Sequence, residues 1–181
     1  KYIQARSGKK PLLVEATHGL DLISEVGGHT AEPEPPAAHH SHHHEGGNPH
    51  VWLDPVLVQD ICRRIAAAFA QADPANRAFY EKNLAHYLER LGQLNQEIAK
   101  ATAAFRLRQF VSFHPSFSYF ARRYHLQDVG IIEVAPGREP TPKALQNIID
   151  TIKRYGIKVI FSEPQFSPRI AEVLAQEAGV R

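Results

Sequence analysis

Gln109-Phe110-Val111-Ser112-Phe113-His114-Pro115-Ser116-Phe117-Ser118-Tyr119-Phe120 is an apolar run that breaks at a proline and then resumes. Its first five residues read as a strand, and Pro115 marks the turn that ends it. The same alternation recurs to either side. Further strand candidates lie at Pro11 to Ala16, Asp128 to Val134 and Ile157 to Ser162, most of them continuous apolar runs, as expected when both faces of a sheet are covered. Helical patterns fill the gaps. Leu57, Ile61, Ile65 and Phe69 define one helix, and Leu145, Ile148, Ile149 and Ile152 a second, entered through Thr141-Pro142 and ended by Gly156. A third runs from about Pro168 to Ala178. Strands alternating with helices predict an α/β fold in which helical crossovers join parallel strands.

The stretch from Ala75 to about Ala104 has a different pattern. Tyr80, Leu84, Tyr87, Leu91, Leu94, Ile98, Ala101 and Phe105 recur at alternating spacings of three and four, which makes one continuous apolar stripe. A helix of that length is roughly 45 Å long, more than a crossover in a small sheet requires. A coiled-coil arm is one reading. Strands on both sides favour another: two lobes with parallel sheets flanked by helices, joined by one long backbone helix. The expected division is 1–74 for part of an amino-terminal lobe, 75–105 for the linking helix and 106–181 for an incomplete carboxy-terminal lobe. Both ends read as truncated, since the chain has no methionine and Val180-Arg181 follow a helix-capping glycine as a strand would begin.

Composition excludes several classes. With 181 residues, 43% of them hydrophobic, the chain can bury a core. Its formal net charge of +2, with no run of five or six like charges, argues against a nucleic-acid partner. No apolar stretch approaches the roughly 20 residues of a membrane span. The single cysteine, Cys62, shares a helix face with Val58, Ile65 and Phe69 and reads as a core thiol.

Histidine is the unusual residue, with eleven in the chain. Between Gly27 and Gly47 a proline-rich, acidic stretch leads into His39, His40, Ser41, His42, His43 and His44, a composition that cannot bury a face and predicts a surface loop. Affinity tags sit at termini, whereas this tract is internal. Its imidazoles suit weak zinc capture through changing pairs or triples.

Asn48-Pro49-His50-Val51-Trp52-Leu53-Asp54-Pro55 follows at once. Asp54 and Pro55 read as the N-cap and first residue of a helix, which leaves His50 just ahead of it in a restrained turn. His114 sits where a strand gives way to a helix, and ligands of open α/β sheets bind beyond the carboxyl ends of strands. Sequence separation alone decides neither. The two are 64 residues apart with no helix-borne His-Glu-x-x-His signature, and a turn histidine can equally cap a helix or meet solvent. Glu133 and Glu163 end strands and are candidates for orienting an imidazole, although Glu163 could instead cap the next helix. His86 and His125 read as solvated helix surface or helix end, and His18 stays unassigned.

Asn48 to Pro55, the histidine tract before it, the Ser112 to Ala121 turn and Glu163-Pro164-Gln165-Phe166-Ser167-Pro168 together resemble the zinc-specific, ZnuA-like receptors of metal-importing ABC transporters. The resemblance runs over essentially the whole chain. It implies two α/β lobes with metal held between them, and it places His50 and His114 among the ligands. A further histidine upstream of Lys1 and an acidic residue downstream of Arg181 complete the implied set. Relatives that handle manganese tend to carry a carboxylate where this chain has His114, and nitrogen ligands shift preference toward zinc. The expected protein is thus a monomeric zinc receptor and not an enzyme, either periplasmic or a cell-surface lipoprotein, with a membrane permease as its partner. Two other classes compete with it: a metal-dependent hydrolase, and a zinc buffer that uses only the histidine-rich loop.

Overall fold

In a computed structural model of the chain, the described residues are 12–24, 47–133, 140–166 and 168–180. They fall into two compact units. One holds the described residues through Asp21 together with Asp54–Lys100, and the other those of Leu22–Leu53 and Ala101–Arg181.

The first unit is built on two helices, α1 (Pro55–Ala72) and α2 (Arg77–Ala103). Asp54 starts α1 as the sequence predicts: its Oδ1 accepts from the backbone of Val56 at 2.9 Å and Leu57 at 3.4 Å, and Pro55 takes the first helical position. Asp73 organises the turn out of α1. Its carboxylate accepts from Asn76 Nδ2 at 2.7 Å and the Tyr80 hydroxyl at 2.9 Å, while its backbone N–H donates to the Phe69 carbonyl. Gln59 reaches the Leu88 carbonyl and Phe69 meets Tyr80, so α1 and α2 run antiparallel. Cys62 is partly buried, and burial pushes its thiol up, away from the reactive thiolate.

Two expectations change here. Residues 12–15 carry no strand: a strand needs a hydrogen-bonding neighbour, and none lies beside this segment among the described residues. Leu13 is 94% exposed, and the following turn is held instead by Arg64 donating to the Ala16 carbonyl at 3.1 Å. The long helix stops at Ala103, so Phe105 falls outside it and is half exposed. Along the stripe Leu91 is buried, whereas Tyr87 and Leu94 remain exposed.

The second unit contains the sheet. Strands β1 (Gln109–Ser112), β2 (Gln127–Ile131) and β3 (Ile160–Phe161) are parallel in the order β2-β1-β3, with α3 (Ser118–Tyr124) and α4 (Pro142–Tyr155) as the crossovers and α5 (Pro168–Ala178) after β3. Thr141 caps α4 by accepting from Ala144 N, and Gly156 ends it at φ 64°, a conformation only glycine adopts without strain. Val111 and Phe113 point into a core with Ile132, Ile148, Ile152, Ile157, Ile160 and Leu174. Alternation sends Phe110 and Ser112 to the other face, where Phe110 meets Phe117 and Phe161. No helix among the described residues is long and apolar enough to cross a membrane.

Asp128, on β2 opposite Phe110, carries a cost. Ser112 Oγ bonds its Oδ2, but its buried Oδ1 has no partner among the described residues. Burial pushes its carboxyl up to about 6, with Ser112 and the backbone of Gly130 opposing. The unfolded chain releases this proton near pH 4, so a raised folded value means stability that is present in acid and lost as pH rises through about 6. Asp128→Asn removes that loss. Urea melts should find it up to about 3 kcal/mol more stable than the parent at pH 8, with no advantage near pH 4.

Candidate metal centre

β1 ends at Ser112, and the chain then delivers Phe113 to the core and His114 to the mouth of the turn Pro115–Phe117. A second turn, Val51–Leu53, follows His50 in the same unit. The two imidazoles converge: His50 Nε2 and His114 Nε2 lie 3.3 Å apart, with ring centroids at 5.0 Å. Zinc–nitrogen bonds of 2.0–2.1 Å in a tetrahedral arrangement require two ligand nitrogens about 3.3–3.4 Å apart, so the pair already has the bite of a zinc site.

Behind each ring stands an acceptor. Glu163, just past β3, places Oε1 on His114 Nδ1, and Gln165 Nε2 holds the other carboxylate oxygen at 2.6 Å. That is the arrangement of a carboxylate that fixes a ligand imidazole and raises its basicity. Asn48 Oδ1 lies 2.8 Å from His50 Nδ1. Burial holds His50 below the ordinary imidazole range; the neighbouring His114 adds to this and Glu163 opposes it. At neutral pH His50 therefore keeps a lone pair for a metal.

Aromatic rings enclose the pair. The ring centroid of Phe166 lies 5.1 Å from that of His114 and 4.7 Å from that of Phe113, on which Phe166 stacks, while Trp52, 59% exposed, meets His50 in a T-shaped contact with centroids 5.2 Å apart. Glu133 is buried past the end of β2, and its backbone N–H donates to the Phe113 carbonyl at 2.7 Å, beside His114 in the chain. His39, His40, His42, His43 and His44 lie outside the described residues. Among the described residues no cluster of three or more His, Cys, Asp or Glu side chains is arranged to hold a metal; what converges there is the one pair of imidazoles.

Residues 1–181 match the family described as zinc-uptake complex component A, periplasmic, ZnuA. The chain belongs to the ZnuA family. Among its relatives, the high-affinity zinc uptake system protein ZnuA of Bacillus subtilis is 34% identical over 170 residues, which cover 94% of this chain and 52% of that protein. The zinc-binding protein AdcA of Streptococcus pyogenes is 33% identical over 181 residues, covering 97% of this chain and 35% of that one. A crystal structure of a ZnuA deletion mutant with zinc bound superimposes with a TM-score of 0.76 at 35% identity, over 92% of this chain and 58% of the other. The chain thus spans about half the length of the first ZnuA relative and about a third of AdcA. These likenesses to ZnuA proteins support the α/β architecture independently of the site geometry.

Reading the sequence missed three contributors. Phe166 and Gln165 carry no signal of their own, because they act through His114 and Glu163. Asn48 could have been found: an asparagine two residues before His50 is placed to accept that residue's backbone N–H, and it does so at 3.0 Å.

Proposed function

We propose that this chain is part of an extracytoplasmic zinc receptor that hands its ion to the membrane permease of an ABC importer, with His50 and His114 as two of the ligands. The observation that carries the reading is the 3.3 Å separation of two imidazole nitrogens that lie 64 residues apart in sequence. Glu163 on the far side of His114 supports it, since an acceptor there directs the Nε2 lone pair outward. The two remaining ligands come from chain outside these 181 residues, and zinc is favoured over manganese by the nitrogen donors. In this reading 1–74 and 106–181 belong to two lobes and 75–105 to the connecting helix. The hydrogen bonds that residue 48 makes to Pro115 and Tyr119 are then contacts between segments of different lobes, as two ligands sharing one ion require. The protein acts as a monomer, either in the periplasm or anchored at the cell surface, and binds without turnover.

The histidine tract serves as an accessory collector. The described residues that flank it in sequence are held together: Asn48 N donates to the Ile23 carbonyl at 2.6 Å, and a side chain at Gly47 would collide with that same oxygen. Replacing residues 25–46 by a short turn should leave the neck and both imidazoles in place. Calorimetry on the whole protein is expected to find one tight zinc equivalent retained and only weak, superstoichiometric binding lost. Disappearance of the tight equivalent would make the protein a buffer that works through the tract, and hydrolysis of esters or phosphoesters by the zinc-loaded protein would make it an enzyme.

A further inference from the structure

Asn48 is 5% exposed, and each of its polar groups is engaged. Its backbone N–H donates to Ile23 and its carbonyl accepts from the buried Tyr119 hydroxyl at 2.7 Å, which in turn accepts from Ile23 N at 3.0 Å. One end of its side-chain amide faces the Pro115 carbonyl at 2.7 Å, with Ser118 Oγ at 3.4 Å, and the other faces the His50 backbone N–H. A carbonyl can only accept and a backbone N–H can only donate, so the orientation of the amide is forced: NH2 toward Pro115, oxygen toward His50. That oxygen also meets His50 Nδ1, which must therefore carry the ring proton. The lone pair is left on Nε2, the nitrogen that faces His114.

We propose that Asn48 is a positioning residue for both candidate ligands at once, fixing the tautomer of His50 through its oxygen and the turn that bears His114 through its amide nitrogen. The inference rests on the assignment of His50 and His114 as zinc ligands. With Glu163 accepting from His114 Nδ1, a neutral His114 also leaves its Nε2 bare, and the two rings then turn lone pairs toward one point. Two facing lone pairs repel unless a cation lies between them. Asn48 therefore holds the pair in the state that a divalent ion relieves, before the ion arrives.

Two measurements on the whole, ¹⁵N-histidine-labelled protein test this. Long-range ¹H–¹⁵N spectra of the zinc-free protein read the tautomer directly, and zinc titration against a competing chelator reads affinity. The parent is expected to show His50 as the Nδ1–H form. Asn48→Ala should release His50 to a mixture of tautomers and weaken zinc binding about 10- to 100-fold. Asn48→Asp keeps an acceptor for Nδ1–H but loses the donor to Pro115, so it should retain the tautomer and still lose affinity. A parent His50 in the Nε2–H form overturns the proposal even if the alanine variant fails to fold. So does Asn48→Ala with a changed tautomer and affinity within twofold of the parent. A parent with the expected tautomer but no zinc bound at His50 refutes the receptor reading instead, and the two failures are thereby distinguished.

Discussion

His114→Ala and His50→Ala are each expected to weaken zinc binding by more than about 100-fold, because losing a ligand costs more than the 10- to 100-fold typical of losing a partner behind one. The two variants should not fail alike. Without His114, the Glu163 carboxylate loses the imidazole it bonds, and Phe166 loses one of its ring contacts. Without His50, Asn48 still holds Pro115 and Tyr119, so the surroundings of His114 stay formed. His50→Ala should accordingly keep the parent's thermal stability more closely. The measurement is best made with residues 25–46 replaced, so that imidazoles of the tract cannot substitute. Affinity within twofold of the parent in both variants would remove these histidines from the site.

Phe113→Ala is the second large effect, and it acts on stability first. The ring is 1% exposed and belongs to the core that holds the sheet against α4 and α5. Truncating such a residue costs about 3–5 kcal/mol, the transfer energy of the ring together with the cavity left behind. Urea unfolding should report a loss of that size, and Phe113→Leu a smaller one. Zinc affinity should fall as well, because Phe166 lies against both Phe113 and His114 and loses one of the two surfaces that seat it. A cost below about 1 kcal/mol would mean that this ring does not fill the core.

The parts that could be read from the sequence were those whose physics is local. The apolar run around Phe110 and Val111 read as a strand because it leaves no solvated face, and β1 does form there, while Asp54-Pro55 and Thr141-Pro142 start helices through bonds that reach only two or three residues. The same logic failed for residues 12–15, where an apolar run lacks the neighbour that would turn it into a strand. At the site, the positions of His50 and His114 next to turns were legible from the residues, whereas their convergence was implied only by the family resemblance and not by spacing. Glu163 could be read equally as a cap or as a partner to an imidazole, since the ring it bonds is 49 positions away. The place of Asn48 in an Asn-Pro-His turn was visible, whereas its grip on Pro115, 67 positions on, could come only from the fold.

The indole beside His50 has a practical consequence. Trp52 is the one tryptophan of these 181 residues, it is more than half exposed, and its ring centroid lies 5.2 Å from that of the His50 ring. An ion drawn to that imidazole changes the charge next to a fluorophore already in contact with it. In the proposed receptor, zinc titration is therefore expected to shift the Trp52 emission, which would report loading in real time without a dye.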